Sequence, residues 1–127
     1  MQGFTVHTQT RTQFVDITAE VRRAAAALKL TDGALTVFVP HTTAGVTINE
    51  NADPDVTADL AAALERLAPW KAQYRHGEGN AAAHVKASLM GSSVRLLVEG
   101  GRLRLGTWQA VYLCEFDGPR ERQVWVG

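Results

Sequence analysis

The hydrophobic and polar residues of the chain are arranged in short blocks that predict eight strands and three helices. Apolar residues recur at helical spacing over 19–29 and 54–68, and an alanine-rich segment favours a third helix over 81–90. Short apolar runs rich in β-forming residues predict the strands. These runs cover 3–9, 12–17, 34–39, 46–49, 94–98, 103–105, 107–116 and 123–126.

The order of these elements indicates the fold class, because it lacks the regular β–α alternation of a doubly wound fold. A length of 127 residues is that of one domain. We therefore predict a single α+β domain over 1–127, in which a mostly antiparallel, partly mixed β-sheet packs against about three helices. Asp53 and Asn80 stand where the N-caps of the second and third helices are expected.

The composition narrows the class of partner. The chain has 13 basic and 13 acidic residues, so it carries no electrostatic footprint for nucleic acid or an acidic membrane. No apolar run approaches the roughly 18 residues of a membrane span, and the first residues lack the features of a signal peptide. The single cysteine, Cys114, excludes a cysteine-rich metal site and is expected in the core. We expect a cytoplasmic protein that binds neither nucleic acid nor membrane.

Three of the four histidines lie in or beside segments of small residues. His41 follows a predicted strand, His76 lies in a glycine-rich loop, and His84 lies just inside the third helix. Neutral imidazoles are common metal ligands, and three of them leave a coordination position open for water or substrate. We predict that the two loops meet and that the three imidazoles hold a metal. The alternative is that His76 is a solvated loop residue and His84 an ordinary residue on a helix face.

Two acidic groups are candidates for a general base beside such a metal. Glu50 and Asn51 precede the cap of the second helix and are free to face a site. Asp53 and Asp55, in contrast, are better explained by helix capping and by the helix dipole. The first acidic candidate is therefore Glu50, with Asn51 beside it as a polar contact.

The second acidic candidate is Glu115, which lies inside an otherwise apolar strand. A carboxylate there is costly unless a cation, a metal or hydrogen-bond donors satisfy it. Arg120 or Arg122 is the expected partner, and either one is also suited to clamp a phosphate or a carboxylate. The alternative is a structural Glu–Arg pair at the end of a hairpin. Gln109 can supply a further polar contact to a ligand.

Six motifs together resemble the YjbQ-like proteins, which are also described as the secondary thiamine-phosphate synthase family. In chain order they are His41-Thr42-Thr43-Ala44, Glu50-Asn51-Ala52-Asp53, Gly77-Glu78-Gly79-Asn80 between His76 and His84, Leu89-Met90-Gly91-Ser92-Ser93, Gly106-Thr107-Trp108-Gln109 and Glu115-Phe116-Asp117-Gly118-Pro119-Arg120. The resemblance implies a homotrimer with sites near subunit interfaces, and a divalent metal, with zinc expected, on His41, His76 and His84. It also implies a weak thiamine-phosphate synthase activity, which joins a pyrimidine diphosphate to a thiazole phosphate.

From the residues and the resemblance we predict a metal-dependent enzyme that acts on a small phosphorylated molecule, with Glu50 or Glu115 transferring a proton. The residues expected to contact the substrate are Thr42, Thr43, Asn51, Gln109 and Arg120. Because few Lys or Arg side chains lie within the motifs, the displacement of pyrophosphate lacks cationic clamps, which leaves hydrolysis or lyase chemistry open. The alternative function is that of a non-catalytic accessory protein that binds a metal and an anion.

Overall fold

The strands of the protein pair into two sheets, and three helices pack around them. The computed structural model describes all residues from 1 to 127. The strands are β1 (Gln2–His7), β2 (Gln13–Asp16), β3 (Gly33–Phe38), β4 (Ala44–Glu50), β5 (Ser93–Glu99), β6 (Arg102–Leu103), β7 (Gln109–Glu115) and β8 (Glu121–Val126). The helices are α1 (Thr18–Ala27), α2 (Pro54–Leu67) and α3 (Ala81–Met90). Each predicted element is present, and its ends lie close to those predicted.

The larger sheet has five strands in the order β1-β8-β3-β5-β6, and the smaller sheet has three in the order β2-β7-β4. Every pairing in both sheets is antiparallel. The predicted α+β class, with antiparallel strands and three helices, is confirmed. The prediction of one partly mixed sheet is corrected, because the strands form two sheets and neither has a parallel pair. The hydrophobic pattern does not contain this division, since it depends on which strands pair across long sequence distances.

The main core lies where α1 meets one face of each sheet. Side chains of successive strand residues point to opposite faces, so alternate residues turn inward. Val37 and Val124 come from the larger sheet, Val46 and Leu113 from the smaller one, and Val21 from α1, and all five are fully buried. Burying one such side chain contributes about 1.5–3 kcal/mol. This core fixes the two sheets against each other and holds the strand ends in place.

α3 packs against the opposite face of the three-stranded sheet through small residues. Ala83 and Ala87 lie in a second buried cluster together with Cys114 of β7. Gly45 of β4 permits the close approach, since a Cβ atom there would lie 2.6 Å from the carbonyl oxygen of Gly91. Cys114 is fully buried, as predicted, and this burial raises the pKa of its thiol to about 12.

The starts of α2 and α3 differ in how they are capped. α2 begins as predicted, with Pro54 first in the helix and the Asp53 carboxylate accepting a hydrogen bond from the Asp55 N–H at 2.9 Å. Asn80 occupies the N-cap position of α3, but its side chain makes no capping hydrogen bond. None of the three helices is long and apolar enough to cross a membrane.

Candidate functional site

A polar cavity of about 600 Å³ opens beside the end of β3 and the start of α3. It is lined by Phe38, Val39, Pro40, His41, Thr42, Thr43, Glu78, Asn80, His84, Ser92, Asp117, Arg120 and Arg122. The loop that follows β3, the segment that leads into α3, and the turn between β7 and β8 therefore meet here. Two of the three predicted metal ligands, His41 and His84, lie in its wall.

His41 is held in place by a residue of β8, the strand that lies beside β3 in the larger sheet but is distant in sequence. The backbone N–H of Gln123, in β8, donates a hydrogen bond to His41 Nε2 at 2.8 Å. The neutral ring then carries its proton on Nδ1. Burial, and next the positive charge of Arg122, lower the pKa of His41, which favours this neutral form.

His84 lies one turn into α3, and its ring meets that of His76. The two ring centroids are 5.1 Å apart and the planes are nearly perpendicular. His76 is exposed, stands 3.7 Å (Nε2 to Oε2) from Glu78, and is not part of the cavity wall. The two rings are therefore in edge-to-face contact, and His84 is the one that lines the cavity. Their role as metal ligands stays a prediction.

The three predicted ligands do not form a ready-made metal centre in this arrangement. No group of three His, Cys, Asp or Glu side chains is placed so that it could hold a metal ion. A metal needs a nitrogen lone pair from each histidine. Neutral His41 offers none, because Nε2 accepts from Gln123 and Nδ1 bears the proton. His41 does not fit the three-histidine site as it stands, whereas His76 and His84 are neighbours.

Glu115 is fully buried and paired with Arg122. Its Oε1 accepts hydrogen bonds from Arg122 Nε and Thr8 Oγ1, both at 2.8 Å, and its Oε2 accepts from the backbone N–H groups of Phe116 and Asp117, both at 3.0 Å. Burial alone would raise its pKa, but the hydrogen bonds from Arg122, Asp117 and Thr8 outweigh burial and lower it. Glu115 is therefore an ionised structural partner, and it does not line the cavity.

Arg122 connects this buried pair to the cavity. Its guanidinium is nearly fully buried and donates to Thr43 Oγ1 at 2.8 Å as well as to Glu115. The Glu115 partner is thus Arg122 rather than Arg120. Thr43 is buried and engaged by Arg122, whereas its neighbour Thr42 is exposed. Of the two predicted threonine contacts, Thr42 is the one that is free to meet a ligand.

Asn80, Asp117 and Arg120 form another part of the cavity wall. Asn80 Nδ2 donates to Asp117 Oδ2 at 2.8 Å, and Arg120 donates to the same oxygen at 3.1 Å. Arg120 also donates through Nε to the Asp117 carbonyl oxygen. Arg120 was predicted as a substrate contact, but Asn80 and Asp117 were not predicted. Their only signal in the sequence is that each lies within one of the family-like motifs, since Asn80 by itself resembles an ordinary helix cap.

The other predicted residues lie at a different place in the molecule. Asn51 and Gln109 line a second cavity of about 490 Å³, together with Asp16. Glu50 and Gln109 are paired across β4 and β7. The other end of this strand pair, where Ala44 lies opposite Glu115, is beside the first cavity. Ala44 and Glu50 are six residues apart along β4, which corresponds to roughly 20 Å at the rise of an antiparallel strand. A single chain does not bring Glu50, Asn51 and Gln109 to the histidines.

The fold and the cavity define a class of small α+β protein, with two antiparallel sheets and a polar cavity shared by a strand-end histidine loop and a helix. The family model described as UPF0047 protein YjbQ-like matches residues 2–127. The chain belongs to this family, and the resemblance predicted from its motifs is confirmed.

Relatives from bacteria and archaea share sequence and fold over almost the whole chain. The UPF0047 protein YugU of Bacillus subtilis is 49% identical over 122 residues, which cover 95% of this chain and 92% of the relative. An uncharacterised conserved protein of the YjbQ/UPF0047 family from Clostridium acetobutylicum has a TM-score of 0.97 and 51% identity, with 100% of this chain and 98% of that chain covered. A hypothetical protein from Aeropyrum pernix has a TM-score of 0.94 and 39% identity, with 99% and 95% covered.

Proposed function

We propose that the first cavity binds a small phosphorylated molecule and that the protein is an enzyme acting on it. The supporting observation is the half-exposed guanidinium of Arg120 in the same wall as the exposed residues Thr42 and Ser92. Guanidinium and hydroxyl groups donate hydrogen bonds to phosphate oxygens, and the guanidinium also supplies charge. Arg122 is not assigned this role, because its buried guanidinium is committed to Glu115.

We assign proton transfer to His84. It lies partly exposed in the cavity wall, where a bound molecule can reach its ring. The two carboxylates predicted as general bases are placed elsewhere, Glu115 in the core and Glu50 near the second cavity. A neutral imidazole has one nitrogen that donates a hydrogen bond and one that accepts, which suits it to give or take a proton at a phosphate ester or at a leaving group.

Turnover tests this proposal. Thiamine-phosphate synthesis is the reaction that the family resemblance suggests, so the first assay mixes a pyrimidine diphosphate with a thiazole phosphate and measures thiamine phosphate by chromatography. A pool of phosphorylated metabolites then tests hydrolysis and lyase reactions. His84→Ala is expected to lower the rate by about 10²–10⁴-fold, the usual contribution of a positioned acid or base.

Arg104→Ala is a matched control for Arg120→Ala, because Arg104 is an exposed arginine outside the cavity. Loss of phosphate affinity in Arg120→Ala alone supports the assignment. Full activity of both Arg120→Ala and His84→Ala would contradict it. Binding of phosphorylated compounds with no conversion of any of them would instead favour the non-catalytic, anion-binding accessory protein.

The divalent metal, with zinc expected, is a separate proposal. The neighbouring rings of His76 and His84 support these two residues as the first ligands of a metal site. His41 could join them only after its Nε2 released the hydrogen bond from the Gln123 N–H. Metal content of the chelator-free protein is compared among wild type, His41→Ala, His76→Ala and His84→Ala. Full occupancy in all three variants would show that the triad is wrong, and loss in all three would show that His41 rearranges on binding.

A homotrimer in the cytoplasm completes the proposal. Its support is a small apolar patch on the outer face of the five-stranded sheet, formed by the exposed rings of Phe38 and Trp125, whose centroids are 5.9 Å apart. Phe38 also lines the cavity, so a neighbour on this patch would lie beside the site. Light scattering after gel filtration should give three times the 13.8 kDa of one chain. A monomer would contradict the trimer, and membrane-bound or exported protein on cell fractionation would contradict the location.

A further inference from the structure

The Asn80 side chain carries an acceptor that nothing in the chain satisfies. The residue is 9% exposed, and its Oδ1 is buried without a hydrogen-bond partner. One other buried side-chain oxygen shares this state, Glu20 Oε2, and it lies outside the histidine cavity. Buried amide oxygens are normally paired, so an unpaired one in a cavity wall marks a place where a donor is missing.

The orientation of the Asn80 amide is fixed by its neighbour. Nδ2 donates to Asp117 Oδ2 at 2.8 Å. Turning the amide over would set its oxygen against a carboxylate, acceptor against acceptor, so Oδ1 is the atom that remains unpaired. The usual local partner is also unused, because the side chain makes no capping hydrogen bond to α3.

The charge around Oδ1 indicates which kind of donor suits it. Asp117 Oδ2 accepts from Arg120 as well as from Asn80, so the carboxylate that holds the Asn80 amide is already paired with a guanidinium. A cation at Oδ1 would therefore gain little attraction from Asp117. A hydroxyl or amino group, in contrast, gains the one hydrogen bond that the wall lacks.

Building on the proposed binding of a phosphorylated molecule, we propose that this ligand also carries a hydroxyl or amino group that donates a hydrogen bond to Asn80 Oδ1. Arg120 and Asn80 are close neighbours, because both donate to the same oxygen of Asp117, at 3.1 and 2.8 Å. A short ligand with two carbons between its phosphate and its donor is therefore the first length to test.

Three probes of matched size test the proposal by calorimetric titration: O-phosphoethanolamine, 2-hydroxyethyl phosphate and n-propyl phosphate. They end in an amino, a hydroxyl and a methyl group. At least one donor-bearing probe should bind wild type about tenfold or more tightly than n-propyl phosphate, because a site built for a hydrogen bond rejects the analogue that lacks it. The better of the two identifies the donor.

The preference should vanish in Asn80→Leu, which keeps a similar side-chain volume without the amide. Asn49→Leu is the matched control and should retain the preference, since Asn49 Oδ1 accepts from the Glu50 N–H, outside the cavity. Equal binding of all three probes to wild type would overturn the inference and leave phosphate binding intact. Absence of binding by all three would overturn both proposals. The wild-type comparison decides the matter even if Asn80→Leu does not fold.

Discussion

Replacing Glu115 with alanine should be among the most damaging single changes that this fold can undergo. Glu115 has no exposed surface, and Arg122 is 4% exposed, so the pair is cut off from water. Five hydrogen bonds end on the Glu115 carboxylate, from Thr8, Phe116, Asp117 and two Arg122 nitrogens. The substitution leaves the buried guanidinium of Arg122 with Thr43 as its one remaining side-chain hydrogen-bond partner.

Removing one partner of a buried ion pair costs about 3–5 kcal/mol, which is a large part of the roughly 5–15 kcal/mol by which a domain is stable. Urea unfolding followed by tryptophan fluorescence measures the loss. Glu99→Ala is the matched control, because Glu99 pairs with Arg104 at the surface, where both side chains are well exposed. Such a pair contributes about 0–1 kcal/mol.

A double variant separates the effect of charge from that of packing. Glu115→Leu with Arg122→Met removes both charges and keeps apolar volume, and it should recover part of the stability that Glu115→Ala loses. Recovery is incomplete because the Asp117 N–H still lacks the carboxylate to which it donates. If Glu115→Ala does not fold, Glu115→Gln keeps the shape of the side chain and gives an intermediate loss. A loss for Glu115→Ala no larger than that for Glu99→Ala would refute the view that Glu115 is a structural partner, and would return it to the candidates for proton transfer.

Three further results are expected. The pKa of His41 in the folded protein should lie below its usual 6.5, because burial and the charge of Arg122 lower it. As the pH falls below 6.5, the unfolded chain therefore takes up a proton on His41 before the folded protein does. The contribution of His41 to the free energy of unfolding is full above pH 6.5 and decreases below it. An NMR midpoint at or above 6.5 would contradict this. Gly118→Ala should cost about 1–3 kcal/mol or more, since a Cβ atom there would lie 2.2 Å from the Thr10 carbonyl oxygen, whereas Gly77→Ala, with open space, is the neutral control. Asp53→Ala should cost about 1 kcal/mol through loss of the α2 cap; an unchanged urea midpoint would show that this cap is dispensable.

The sequence predicted well the features that depend on neighbouring residues. The helices and strands were found because periodicity and capping are local, as at Asp53, whose side chain caps α2. Asn80 is also at an N-cap position, but its side chain donates a hydrogen bond to Asp117, 37 residues away, and does not cap α3. The protonated nitrogen of His41 is likewise set by Gln123, 82 residues away. Both contacts lie at the cavity wall, and both join residues that are far apart in the sequence, so no local pattern predicts them.

The pairing of β4 with β7 also limits how the predicted site residues can act together. Its register sets Ala44 opposite Glu115 at one end and Glu50 opposite Gln109 at the other. These two ends lie six residues apart along β4, or roughly 20 Å at the rise of an antiparallel strand. Within one chain, therefore, Asn51 and Gln109 line the second cavity, Glu50 lies opposite Gln109, and all three are far from the histidines. Any joint action of the two groups on one ligand requires the second cavity of one copy to face the first cavity of another.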